Sequence, residues 1–538
     1  MASKKSSKKR KRQQERARKD LEALQELERA RAKTTTTTTT ASASPAKTEL
    51  PTTNSPPVVS STNPGSCHNH NKLFLTSHDQ EFESTLAKSY HGFSVLSQPP
   101  LEEYLRNALE RLRDAGYYQY DVVMAGGKTL SKTFVKRTLV GEPGITYKYL
   151  GLRLFAHSWE KDAKFRPIQQ LNQKMINYTQ QQLKQHKIPS PEALYKYNLT
   201  LINYMEPTNK LDLKEEESVK EKVSVSWHSD SSLELGSSIA VYQCLPTQKS
   251  RAWDWKIALR PAPGVESQQS SPTTTTTTTT VPPPSIVVPT KAGDVYFMLG
   301  DFNDRFQHMV VAGSSTCRIS STHRVATTKT DTYSYILQRV RNAKKTLKKQ
   351  LKHWKKDQTP LDITSILDAQ AALTEVELEW IAQYWVQGAR HDVLHVWWQG
   401  PMRELERYWL LLEDLTFQLY IACLDTTAPV PIEMVRGLLA AFKTRNTLRR
   451  RWDKRRADNV YQRQIVREYQ PVEHPVFLKS PTMLPKDLST AIQNLSQLDT
   501  KNSQPSKKKN GPPSKFGGKR NNRESSGPSD KKTWKKQR

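Results

Sequence analysis

The sequence predicts an α+β protein: a strand-rich half, then an all-helical half, with a basic tail of low complexity at each end. Three observations predict it. Between Leu73 and about Arg339 the apolar residues fall in short runs of strand character, such as Ile239-Ala240-Val241-Tyr242 and Tyr333-Ser334-Tyr335-Ile336-Leu337, separated by turn residues. After Val340 the apolar spacing becomes that of a helix. Outside both, residues 1–72 and 501–538 are mostly Lys, Arg, Ser, Thr, Pro, Gly and Asn, which bury too little apolar surface to offset the entropy of ordering.

The expected segments are therefore a tail over 1–72, a first domain over 73–340, a helical domain over 341–500 and a tail over 501–538. Thr273–Thr280 and Pro282-Pro283-Pro284 lie between the strand-like stretches Trp253–Leu259 and Val295–Leu299, which predicts an inserted loop over about 262–290. In the helical half, Thr374-Glu375-Val376-Glu377 has the form of a capping box ahead of Leu378 and Trp380. Further helices are expected over Met402–Cys423 and Ile432–Arg450. Trp354, Trp380, Trp385, Trp397, Trp398, Trp409 and Trp452 all fall in this half, where helical spacing makes them core or interdomain anchors rather than base-stacking platforms.

The formal charge of +30 points to a polyanionic partner. Residues 1–33 hold 13 basic and 5 acidic side chains and residues 501–538 hold 13 and 2, so the tails contribute +8 and +11. Such charge predicts salt-sensitive binding, not specificity. Lys8-Lys9-Arg10-Lys11-Arg12 has the cation density that a nuclear import receptor reads, giving a nuclear expectation with the cytoplasm also open. Four cysteines without paired spacing argue against a disulfide framework, and no apolar run is long enough for a membrane span or a secretory signal. Cys67-His68-Asn69-His70 has no partner pair at finger-like spacing and is not read as a metal site.

His228-Ser229-Asp230 follows the strand-like Val223–Trp227, and residues two apart on a strand share a face, so an imidazole and a carboxylate converge. Two histidines and one carboxylate on one side of an iron leave open positions, as in non-haem Fe(II) oxygenases. With 13 histidines in the chain a lone His-x-Asp is weak, so a second cluster is needed. His308 supplies it: Arg318 follows ten residues later, with Ala312-Gly313-Ser314-Ser315 as a turn that folds the two back toward one cavity. Arg318 shares a strand face with Ser320, and its planar fork suits the distal carboxylate of 2-oxoglutarate. Arg324 completes the Arg-x5-Arg run.

These residues resemble the AlkB-like nucleic-acid oxygenases, and within them the branch that demethylates N6-methyladenine. The resemblance is carried by Gly144–Leu150, Val225–Asp230, Ser320–Ala326, Tyr335–Arg339, Glu375–Trp380 and Trp397–Met402, and it spans about Leu73 to Leu498. It implies a double-stranded β-helix, or jelly roll, with a helical bundle behind it. It implies Fe(II) on His228, Asp230 and His308, with 2-oxoglutarate and O2 as cosubstrates. It implies 2-oxoglutarate contacts from Asn203, Tyr296, Arg318, Ser320 and Arg324. For the methylated base it implies Val135, Arg137, Tyr149, Leu150 and the position of Ser231, where that family carries an acidic residue. The expected substrate is single-stranded RNA, with single-stranded DNA open, because Leu213-Lys214-Glu215-Glu216 resembles a loop that hinders duplexes. Ser231 keeps a 3-methyluracil, 3-methylthymine or DNA N6-methyladenine demethylase as an alternative. A non-catalytic methyl-RNA binding module is the alternative from another class.

Overall fold

The computed structural model describes residues 74–503 apart from 126–128, 150, 246–252, 265–282, 358–360, 387, 389–390, 392–396, 426, 428–429 and 458–487. Residues 1–72 with Lys8–Arg12 and Cys67–His70, residues 504–538, Thr273–Thr280 and Leu150 lie outside the described residues, and 501–503, expected to open the second tail, end the helix Ser489–Ser503. Two sheets form the first half. The larger runs in the order Phe93–Leu96, Val295–Met298, Ile239–Cys244, Arg318–Arg324, Leu199–Met205, Val135–Gly141, His157–Ser158. The smaller runs Phe74–Thr76, Ser285–Pro289, Lys256–Pro261, Phe306–Val311, Glu221–His228, Glu215–Glu216.

Successive strands mostly alternate between the two sheets, which is the winding of a jelly roll. The Ile239–Cys244 strand is buried along its whole length because both of its faces are covered. Ile239 and Val241 join Trp255, Ile257 and Leu259 of the smaller sheet in the core between the layers. Ala240, Tyr242 and Cys244 face the other way, into a core with the helices Glu103–Asp114 and Arg166–Gln185. Arg166–Gln185 lies against the sheet because Ile168, Leu171, Met175 and Leu183 recur at helical spacing on one side.

Three expectations are corrected here. Tyr333–Leu337 is not a strand but the opening of the helix Tyr333–Asp357. Ile336, Val340, Ala343, Leu347 and Leu351 continue a three-to-four period that a five-residue window cannot display. Thr374 is not a helix cap: the helix Ile363–Glu375 starts at Asp362, whose side chain accepts from Ser365 N, and Thr374 Oγ1 donates to the Gln370 carbonyl inside it. The chain then runs through a π-helical stretch, Val376–Ile381, that turns Glu377 into the interior between Arg445 and Arg449. The third concerns 262–290: Ser285–Pro289 pairs with Lys256–Pro261 as a strand, because Ile286, Val287 and Val288 reach the cores on both faces of the smaller sheet.

The helices Gln399–Leu424 and Ile432–Ala457 cover the spans expected from periodicity. Trp380, Trp385, Trp398 and Trp409 are buried there, as anchors of a core and not as an exposed platform. Phe155, from the strand Leu152–Phe155, enters this helical core edge-on to Trp380, Tyr384 and Trp398. Beside it, Trp398 Nε1 donates to the Ala156 carbonyl at 2.7 Å, and Arg153 Nε donates to the Glu379 carbonyl at 2.8 Å. No described helix is long and apolar enough to cross a membrane.

Candidate metal and cosubstrate site

The smaller sheet brings His228, Asp230 and His308 together, with one ligand atom of each within 4.8 Å of the others. His228 and His308 are paired in register across adjacent antiparallel strands, so their rings meet with centroids 4.2 Å apart. Asp230 arrives differently from the expectation. The strand ends at His228, so Asp230 shares no strand face with it. Instead Asn303, in the short helix Phe302–Arg305, brackets the Asp230 backbone: Asp230 N donates to Asn303 Oδ1 at 2.8 Å, and Asn303 Nδ2 donates to the Asp230 carbonyl at 2.9 Å. The carboxylate then lies 3.7 Å from His228 Nε2.

The donor set fits a divalent transition metal. His228 Nδ1 lies 2.9 Å from the Ser226 carbonyl, which a protonated Nδ1 satisfies, leaving the Nε2 lone pair for the cluster. Burial pushes the His308 imidazole down to about 3, with His228 adding to the effect, so it is neutral. His308 Nδ1 is buried without a hydrogen-bond partner. Burial pushes the Asp230 carboxyl up, but Arg324, His308 and His228 outweigh it and the net shift is downward, which keeps an anion in the site. Arg324 forms the nearest ion pair to it, at 2.8 Å.

The turn after His308 does not close a hairpin. Phe306–Val311 lies in the smaller sheet and Arg318–Arg324 in the larger, and the connection crosses between layers, so His308 and Arg318 approach the cavity from opposite walls. Arg318, Ser320 and Arg324 alternate along one face of their strand, and all three are buried. Ser320 is in register with Asn203 and with Gln243, and Asn203 with Arg137, which sets four polar residues in one row across four strands. Arg318 Nε donates to Gln243 Oε1 at 3.0 Å and its Nη1 to Ser320 Oγ at 3.3 Å. Its Nη2 is buried with no hydrogen-bond partner, as are Nε and Nη1 of Arg324. Buried guanidinium donors left over at a cavity wall suit a dicarboxylate. Burial pulls the Arg318 guanidinium down, opposed by Tyr296.

Val135, Arg137, Tyr149, Asn203 and Tyr296 also line this cavity. Arg137 lies over the Tyr149 ring, 4.3 Å from its centroid. Ser231 is brought only to the rim: it is exposed, with Oγ 3.5 Å from the Lys148 carbonyl. Sequence reasoning missed Gln243, Asn303 and Tyr147, the last with Arg324 5.1 Å over its ring. No spacing could have found Asn303, whose partner is 73 residues away. For Gln243, the signal was an uncharged polar residue at an inward position of the apolar strand Ile239–Cys244.

Comparison with known proteins agrees with this geometry. A family model described as the FTO catalytic domain matches residues 80–327, and one described as the FTO C-terminal domain matches residues 331–497. The protein named alpha-ketoglutarate-dependent dioxygenase FTO of Xenopus laevis is 28% identical over 439 residues, covering 71% of this chain and 84% of the relative. A solved structure of JOX2 in complex with 2OG, Fe and JA overlaps 47% of this chain and 74% of its own, at 12% identity and a TM-score of 0.24, a likeness too slight to carry an argument. With the catalytic and C-terminal models matched in tandem along one continuous relative, the chain belongs to the FTO family.

Proposed function

We propose that this chain, as an Fe(II)- and 2-oxoglutarate-dependent dioxygenase, removes the methyl group from N6-methyladenine in single-stranded RNA. The observation that carries the reading is the single cavity in which His228, Asp230 and His308 face Arg318, whose spare donors are buried. Iron(II) with 2-oxoglutarate, when bound, supplies oxidation of an N-methyl group by O2, with succinate, CO2 and formaldehyde as products. The chain's part is to hold reactants. His228, Asp230 and His308 hold the metal from one side. Arg318 takes the distal carboxylate, oriented by Gln243 and Ser320, with Arg324, Asn203 and Tyr296 closing the polar wall.

Arg137 offers hydrogen bonds to a base edge, and Tyr149, stacked on Arg137 through one face, offers the other to a base beside Val135. Leu150 and Ser231 belong to the same reading as further base contacts, Ser231 from the rim. A base from an unpaired strand reaches it without the cost of melting a duplex. The reading also includes domains near 73–340 and 341–500, salt-sensitive affinity from the tails, and nuclear import through Lys8–Arg12.

Purified protein given iron, ascorbate, 2-oxoglutarate and single-stranded RNA with N6-methyladenosine should release formaldehyde and unmethylated adenosine. His228→Ala and Asp230→Ala should abolish it. RNA binding with no loss of methyl group from any N-methylated oligonucleotide would favour a binding module instead. A panel with 3-methyluracil and 3-methylthymine, repeated with Ser231→Glu, measures what the missing carboxylate does to base choice.

A further inference from the structure

Arg137 is 4% exposed, so its charge is buried and needs a partner held as firmly as itself. That partner is Asp121, fully buried, with Oδ2 3.2 Å from Arg137 Nε. The backbone sets the pair: Gln119 and Arg137 exchange both of their hydrogen bonds, at 3.1 and 2.8 Å, which brings Asp121 alongside two residues later. The other oxygen of Asp121 belongs to the helical half of the molecule. His391 Nε2 lies 2.7 Å from Asp121 Oδ1, and His391 is itself 6% exposed. Asp121 N and O are taken by Thr133, at 3.0 Å to its Oγ1 and 2.8 Å from its N, so the main chain at Asp121 is held while its carboxylate still has a torsion to set.

We propose that His391 is a positioning residue for base recognition: from the helical domain it fixes the Asp121 carboxylate, and Asp121 fixes the plane of the Arg137 guanidinium over Tyr149. The physical reason is directional. Asp121 Oδ2 meets Arg137 Nε as an ion pair without hydrogen-bond geometry, a contact that sets charge but little direction, whereas the 2.7 Å contact of His391 Nε2 with Oδ1 is directional and sets the carboxylate torsion. Neither His391 nor Asp121 lines the cavity, so each acts through Arg137 and not on the metal or the cosubstrate. The inference rests on the demethylase reading, because it needs Arg137 to meet the base.

The test uses the full chain and two rates measured side by side: demethylation of methylated single-stranded RNA, and the slow conversion of 2-oxoglutarate to succinate without RNA. His391→Ala is expected to lower kcat/KM for methylated RNA about tenfold, the size of a lost hydrogen bond to a charged group, and to leave the RNA-free succinate rate and the KM for 2-oxoglutarate unchanged. His391→Gln, whose Nε2 can reach the same carboxylate oxygen, should restore most of the loss, and Asp121→Asn should reproduce the His391→Ala defect. Three outcomes overturn the proposal while the demethylase reading stands: an unchanged kcat/KM in His391→Ala, an equal fall in both rates with a lower Tm, or no recovery in His391→Gln. A wild-type chain that makes succinate yet demethylates nothing overturns the demethylase reading and this inference with it.

Discussion

Arg318 shows what a single residue type contributes. Three of its nitrogens can hydrogen-bond, two are tied to Gln243, Ser320 and the Met205 sulfur, and one is left over in the polar cavity. Lysine keeps the charge but cannot hold Gln243 and a carboxylate together. Arg318→Lys is therefore expected to raise the KM for 2-oxoglutarate about tenfold or more, measured by succinate release; an unaltered KM would place the cosubstrate elsewhere. Titration at two buried imidazoles is also predictable. His308 and His323 are both pushed down to about 3 by burial, so the folded chain holds them neutral while the unfolded chain protonates them near 6.5. The unfolded state then binds more protons, and stability falls as pH drops from about 6.5 toward 3, by up to about 1.4 kcal/mol per pH unit for each ring. Urea melts of metal-free protein at pH 7 and 5.5 check this; equal stability at both would contradict it.

At the scale of elements, the metal site depends on where regular structure stops. His228 and His308 are placed by strand pairing, with a shift of register between Val225 and His228 that sets the two rings opposite each other. Asp230 lies beyond the strand end and depends on the two hydrogen bonds it exchanges with Asn303. Asn303→Ala should weaken iron binding about 10- to 100-fold, the usual cost of losing a supporting contact around a metal ligand. Competition with a chelator measures it, and wild-type affinity in the variant would show that the bracket is dispensable. The π-helical stretch Val376–Ile381 has a comparable effect in the other half. It turns Glu377 inward, where Arg445 and Arg449 outweigh the cost of burial and hold its carboxyl well below the usual range. A buried acid with two arginines is a poor guide to net stability but a strong constraint on how the two helical segments that carry them align.

For the molecule as a whole, the two halves share a core and are not merely tethered. Phe155 belongs to the strand-rich half by sequence and to the helical core by packing. Removing it leaves a cavity bounded by Trp380, Tyr384 and Trp398, so Phe155→Ala should destabilise the protein by about 3–5 kcal/mol. Thermal melts followed by tryptophan fluorescence should show a single lowered transition; an unchanged Tm would mean that the contact is not maintained in solution. The same coupling gives a helical-domain histidine, His391, a route to Arg137.

Read without its structure, the chain already determined its succession of strands and helices, its basic tails, the His-x-Asp pair and the Arg-x5-Arg run, because period, composition and spacing are properties of neighbours along the chain. The same local rules misjudged Tyr333–Leu337, where five residues cannot separate a strand from the first turn of a long helix, and Thr374, where a capping pattern lies inside a helix continued by burial. Only tertiary structure decided that His308 and Arg318 stand on opposite walls, that Asn303 holds Asp230, that Gln243 orients Arg318, and that Ser231 stays at the rim. Those facts depend on pairing between strands and contacts up to hundreds of residues apart, and a buried polar atom finds its partner by distance in space, which no spacing in the sequence records.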